Sequence, residues 1–217
     1  MTLHDATRDE LQALPLQVAP RLLGGVLTTV VDGEEVAVRL SEVEAYHGQG
    51  TGDVPDPGSH ARMGRTARNA TMWGEPGHLY VYLSHGIHSC VNVVCGPNGM
   101  AGGVLLRAGE VLRGAEVATR RRTARGVVRA SRDLARGPGR LGDAVGLRHP
   151  LHDGIDAIVP LPLHGAIARL QLPDDSVPSR SGPRVGVSGV AGTDAFPWRF
   201  FLEGDPTVSP FRAGRAG

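Results

Sequence analysis

The chain of 217 residues contains no lysine, and all 23 of its basic residues are arginines. Without a lysine amine, imine chemistry has only the α-amino group to use, so a mechanism that runs through a lysine Schiff base is excluded. A GC-rich coding sequence is the simplest origin of the bias, and the exclusion holds whatever the origin. Cysteine is almost as scarce. Cys90 and Cys95 lie five residues apart on a run that reads as strand, so they point to opposite faces. That placement argues against a disulfide and against a zinc knuckle. No apolar run approaches the roughly 20 residues that cross a bilayer. The opening MTLHDATRDELQ lacks the basic and apolar regions of a signal peptide. The expectation is a cytoplasmic protein with no membrane association. Internal repeats are also missing, and this length suits a single domain.

What is present is an uneven charge. Net charge is only +1, but residues 57–150 carry 14 arginines against five acids, leaving +9 there and −8 on the flanks. Arg120, Arg121 and Arg122 alone fit a solvated helix face. A basic face across half the chain suits a polyanion, because phosphate attracts arginine by charge and fits its planar fork.

Residues 1–14 read as a loosely attached arm or a short helix. PLQVAPRLLGG reads as a short helix stopped by Gly24 and Gly25, with Pro20 near its first turn. Two β-rich runs flank Asp32-Gly33, a strong hairpin signal. Glu44 and Tyr46, one residue apart near the end of the second run, share a face. Residues 47–59 are loop by their Gly, Pro and Asp content. SHARMGRTARNATMW predicts a turn and a short helix capped by Thr66. HLYVYLSHGIHSCVNVVC is a second hairpin turning at His85-Gly86. GGVLLRA is a short strand, followed by a helix over GEVLRGAEVATRRR with Val111, Leu112, Ala115, Val117 and Ala118 to one side. GPGRLGDAVGL opens a helix whose free N–H groups lie beside Arg140, a ready anion site. The last 65 residues alternate strand-like runs with turns, and the AGRAG tail reads as frayed. The sum is one α+β domain over residues 15–212, with a curved, largely antiparallel sheet flanked by helices.

The chemistry concentrates between Ser41 and Arg107: Glu44, Tyr46, His60, Tyr82, His85, Asn92 and Arg107. An acid/base group, flat rings, an amide and a fixed cation are the parts of a pocket for a flipped-out base. Residue by residue, other readings stay open. Glu42 shares the strand face of Glu44, Tyr80 and Tyr82 fit core packing, Asn92 fits an ordinary strand-end hydrogen bond, and Arg107 fits a structural ion pair.

The stretches APRLLGGVL, SEVEAYHG, SHARMGRTARN, PGHLYVYLSHGIHSCVN, GVLLRA, GPGRLGDAVGL, PRVGVSG and WRFFLEG, in this order and at these spacings, resemble the alkyladenine DNA glycosylases, also called 3-methyladenine DNA glycosylases of the methylpurine type. The resemblance spans nearly the whole chain. It implies the fold that this family shares with a formyltransferase C-terminal domain, no cofactor, and a monomer acting on damaged purines in double-stranded DNA. Glu44 would be the general base that activates water for attack on the sugar C1′. Tyr46 would stack on one face of the flipped base, with His60 and Tyr82 on the other, and Asn92 would crowd the amino group of normal guanine. Arg107 would hold the phosphate of the extruded nucleotide. His85 departs from the tyrosine that well-known members carry as the wedge in the DNA stack, and its smaller, titratable ring would fill the gap less well. The reaction implied is hydrolysis of the N-glycosidic bond of an alkylated or deaminated purine, and the missing lysine fits an enzyme that leaves the abasic site uncut.

Two other classes are compatible with parts of the sequence. A metal hydrolase would draw on Glu42, Glu44, His47, His60, His85 and His88, but no HExxH or other tight ligand spacing occurs. A non-catalytic nucleic-acid-binding module would use the basic middle and the Gly-Pro-Gly turn.

Overall fold

Two left-handed residues, Asp32 (φ 54°) and Gly33 (φ 80°), close the first hairpin, the backbone geometry that Asp-Gly adopts cheaply. The computed structural model describes residues 2–53 and 55–214. Along the chain these form β1 (Leu3–Asp5), α1 (Arg8–Leu11), α2 (Pro15–Leu22), β2 (Val26–Val31), β3 (Glu34–His47), β4 (His78–Ser84), β5 (His88–Val94), β6 (Gly102–Arg113), α3 (Ala115–Thr123), β7 (Ala135–Arg136), α4 (Pro138–Val145), β8 (Ile155–Asp156), β9 (Ala166–Pro173), β10 (Arg180–Gly182) and β11 (Arg199–Phe201). The main sheet runs β1-β9-β2-β3-β6-β5-β4-β8, with β11 and β10 added beside β3 and β7 beside β6. Every pairing is antiparallel. This is the expected α+β domain with a curved antiparallel sheet.

The core lies between this sheet and α2 and α4, filled by Leu22, Leu27, Leu40, Leu106, Leu141 and Val145, all fully buried. Local expectations differ in four places. The N-terminal segment, read as a loosely attached arm or a short helix, does contain the short helix α1, which Thr7 and Glu10 cap and which buries Leu11, but it is not loosely attached, because β1 pairs with β9. In α2 the first-turn proline is Pro15, and Pro20 stands in the last turn. The helix expected from Gly109 begins only after Gly114, whose left-handed φ of 74° and contact with Glu35 O exclude a side chain. The GEVLR stretch instead extends β6 along β3, because pairing satisfies its backbone across a long register. Thr66 caps no helix: its N–H donates to Asn69 Oδ1, and only a 3₁₀ turn follows at Ala70–Trp73. Residues 215–217 of the AGRAG tail lie outside the described residues.

Two irregularities matter for function. Pairing of β3 with β6 skips Ser41 and Arg107, passing from Leu40↔Gly109 to Glu42↔Ala108 and then to Val43↔Leu106. A bulge there bends the strands and re-aims the extra side chain. At the tip of β4 and β5, His85 (φ 50°) and Gly86 (φ 70°) make the turn, and Ile87 N–H donates to Ser84 O at 3.0 Å.

Candidate active site

The long strand β3 delivers Glu44 and Tyr46 to one wall of a cleft of about 940 Å3, and β4, β5 and β6 supply the others. The cleft gathers all the residues singled out in the sequence: Glu44, Tyr46, His60, Tyr82, His85, Asn92, Arg107 and Arg140.

Glu44 is fully buried and held on both oxygens. Oε2 accepts the Tyr46 hydroxyl at 2.8 Å, and Oε1 accepts the Val185 N–H at 2.7 Å with Arg107 Nη1 3.5 Å away. Glu42, which shares the strand face, is more heavily engaged by protein donors. It too is fully buried, and it accepts Arg107 Nε (3.0 Å), Arg199 Nε (2.7 Å), and the Ser209 hydroxyl (3.0 Å) and N–H (2.9 Å). Of the two carboxylates, only Glu44 lines the cleft. The bulge at Arg107 places one guanidinium between them, so Arg107 is buried against carboxylates at the cleft floor and not presented on its rim.

The rings come together around this carboxylate. Burial and then the Glu44 charge push the Tyr46 phenol well above its ordinary pKa, so it stays a donor. His60 meets Tyr82 edge-on at 4.6 Å, and Tyr82 stacks on Tyr80 at 5.4 Å. The His60 imidazole is held below its usual value by burial and by the charges of Arg68 and Arg62, so it is neutral at pH 7. Tyr80 is the packing residue of the pair, with its phenol pushed up to about 12 by burial. Asn92 is buried in the cleft wall and donates Nδ2 to Tyr80 O at 3.0 Å, combining the strand hydrogen bond with a place beside the rings.

His85 is exposed at the hairpin tip, its Nδ1 3.0 Å from Ser84 Oγ. Arg140 is exposed in the first turn of α4, after the Gly-Pro-Gly turn. Arg62, Arg125, Arg136 and Arg212 also line the cleft, so its mouth is strongly cationic, the field a phosphate backbone is drawn to. Among the described residues no group of three or more His, Cys, Asp or Glu side chains is placed to hold a metal ion.

Sequence reasoning gave no role to Arg184 or Val185. Both lie in PRVGVSG, about 140 residues beyond Glu44, and only tertiary folding brings Val185 N–H to the carboxylate. Arg184 is fully buried behind Tyr46, its Cζ 4.5 Å from the ring centroid, in a bidentate pair with Asp56 (2.7 and 2.8 Å).

The sequence profile of Methylpurine-DNA glycosylase (MPG) matches residues 9–206. A protein of Leifsonia xyli subsp. xyli named "Putative 3-methyladenine DNA glycosylase" is 49% identical over 98% of this chain and 95% of its own length. Proteins of the same name from Streptomyces avermitilis and Mycobacterium tuberculosis are 48% and 46% identical, covering 95% and 94% of this chain and 92% and 93% of their own lengths. With the family match running through most of the chain and relatives near half identity almost end to end, the chain belongs to the methylpurine-DNA glycosylase family.

Proposed function

We propose that this protein is a monofunctional DNA glycosylase of base excision repair, releasing alkylated or deaminated purines from double-stranded DNA. The observation that carries the reading is the environment of Glu44: a buried carboxylate in an arginine-rimmed cleft that Tyr46, His60 and Tyr82 also line. The cationic mouth binds the backbone, and His85 enters the stack as the damaged nucleotide rotates outward. Tyr46 covers one face of the extruded base, with His60 and Tyr82 on the other. Each stack is worth about 1–3 kcal/mol, comparable to the cost of unstacking. Asn92 crowds the exocyclic amino group of an undamaged guanine. Glu44 takes a proton from a water that attacks C1′, the glycosidic electrons leave with the purine, and an abasic site remains. Arg107, fixed by Glu42, holds Glu44 in register, and the part of its guanidinium that lines the cleft is the proposed donor to the phosphate of the extruded nucleotide. No lysine is available to cleave the strand by imine formation.

The test is base release from duplexes carrying one hypoxanthine, ethenoadenine or methylated purine. The expected result is free base, strand breaks only after hot alkali, and a loss of about 10²- to 10⁴-fold in Glu44→Gln. Salt-sensitive DNA binding with no release from any lesion would replace this reading with a binding module.

A further inference from the structure

Arg184 presents a buried charge that the reaction above does not use. It is fully buried and does not line the cleft, whereas Tyr46, whose ring it touches, does. The ring therefore has a guanidinium on its rear face and the base site on its front. Asp56 holds the guanidinium bidentately, Ala45 O and Ala191 O accept its remaining N–H groups, and Trp198 lies 5.1 Å from its Cζ. These polar partners account for a structural part of the residue's role, because removing the guanidinium alone would leave the buried Asp56 carboxylate unpaired. The same charge also sits 4.5 Å behind a ring that lines the cleft, a placement the ion pair does not require.

We infer that Arg184 is a positioning residue acting through Tyr46, tempering the stacking of positively charged bases so that neutral damaged purines gain relative to cationic ones. A cation on one face of an aromatic ring draws on the quadrupole that a cation on the other face would use. A second cation in front gains less, because the π electrons are already polarised towards the rear and the two charges repel. A neutral base stacks by dispersion and apolar burial and loses nothing. The other charged groups at this ring are Asp56, which cancels the Arg184 charge at long range, and Glu44, which takes the Tyr46 hydroxyl. Neither stands between the guanidinium and the ring, so the short-range effect remains. The inference rests on the glycosylase reading.

The decisive variant replaces the ion pair with a neutral pair, Arg184→Gln with Asp56→Asn, so that no charge is left buried alone. Single-turnover release is measured for a cationic lesion, 7-methylguanine, and a neutral one, ethenoadenine, each relative to wild type. The expected result is a rise of about threefold to tenfold in the 7-methylguanine to ethenoadenine ratio, a part of the roughly 30-fold that a desolvated cation–π contact is worth. Arg184→Lys, which keeps a cation behind the ring, is expected to leave the ratio within about twofold of wild type. Because both lesions are read on one preparation, the ratio is independent of the fraction folded, and a purely structural role would lower both rates together. A ratio that stays constant or falls in the neutral pair, or rises equally in Arg184→Lys, overturns the inference. Wild type releasing neither base would instead remove the glycosylase reading itself.

Discussion

Glu42 and Glu44 stand two residues apart on β3, both fully buried, and exchanging each for glutamine separates structure from chemistry. Glu42 takes four donors, two of them guanidinium groups. Glutamine keeps an oxygen but removes the charge that Arg107 and Arg199 share, and Arg199 has no other carboxylate partner among the described residues. Hydrogen bonds to charged groups are worth about 1.5–3 kcal/mol, and breaking a buried pair costs about 3–5 kcal/mol. At about 2–4 °C per kcal/mol for a domain of this size, Glu42→Gln should lower Tm by about 6–20 °C. Glu44→Gln loses far less. The amide oxygen still accepts from Val185 N–H, the amide N–H₂ can donate to the Tyr46 oxygen, and only the 3.5 Å contact to Arg107 weakens. The cost there is about 1 kcal/mol, or about 2–4 °C. Base release inverts this order: Glu44→Gln should lose about 10²- to 10⁴-fold while Glu42→Gln, assayed below its melting range, loses less. Circular dichroism melts and single-turnover release on both variants decide it. If Glu42→Gln melts within 2 °C of wild type yet abolishes release, Glu42 is the base and the assignment made here is wrong.

Three more expectations follow from the same geometry. His85→Ala, at an exposed turn, should change stability by no more than about 0.5 kcal/mol but weaken release from duplex DNA. Restoring a larger wedge with His85→Tyr should raise it above wild type, and equal activity of all three proteins would show that the tip does not intercalate. Arg140→Gln should weaken binding to any duplex and reduce the slope of log K against log salt by about 1, read from a salt titration of fluorescence anisotropy. An unchanged slope would place Arg140 off the DNA. Burial holds His47, His60 and His152 below the ordinary histidine value. The unfolded chain therefore binds protons at these rings first, and stability falls as pH drops below about 6.5 towards the lower folded values. His47 is 3% exposed, its ring is tilted against Trp198 at 4.8 Å, and neither ring nitrogen has a hydrogen-bond partner among the described residues. His47→Phe should thus flatten the pH dependence of Tm between pH 7 and 5, and an unaltered pH profile would refute its share in it.

The sequence by itself determined what depends on short-range rules. Asp32-Gly33 and His85-Gly86 were legible as turns because few residue pairs tolerate two positive φ angles. The two-residue period of a strand put Glu44 and Tyr46 on one wall. A missing side-chain type excludes a chemistry regardless of fold, as the absence of lysine does here. The ordered motifs were specific enough to carry the family resemblance. Other features depended on partners distant in sequence. GEVLR extends β6 because β3 was there to pair with it. Glu42 and Glu44, alike in the sequence, differ because a bulge turned Arg107 between them and Ser209 and Arg199 closed on Glu42. Arg184 and Val185 joined the site from the far end of the chain, where spacing carries no information about contact. Burial and electrostatic coupling are properties of the packed molecule, so the different surroundings of the two carboxylates were decided only by the tertiary structure.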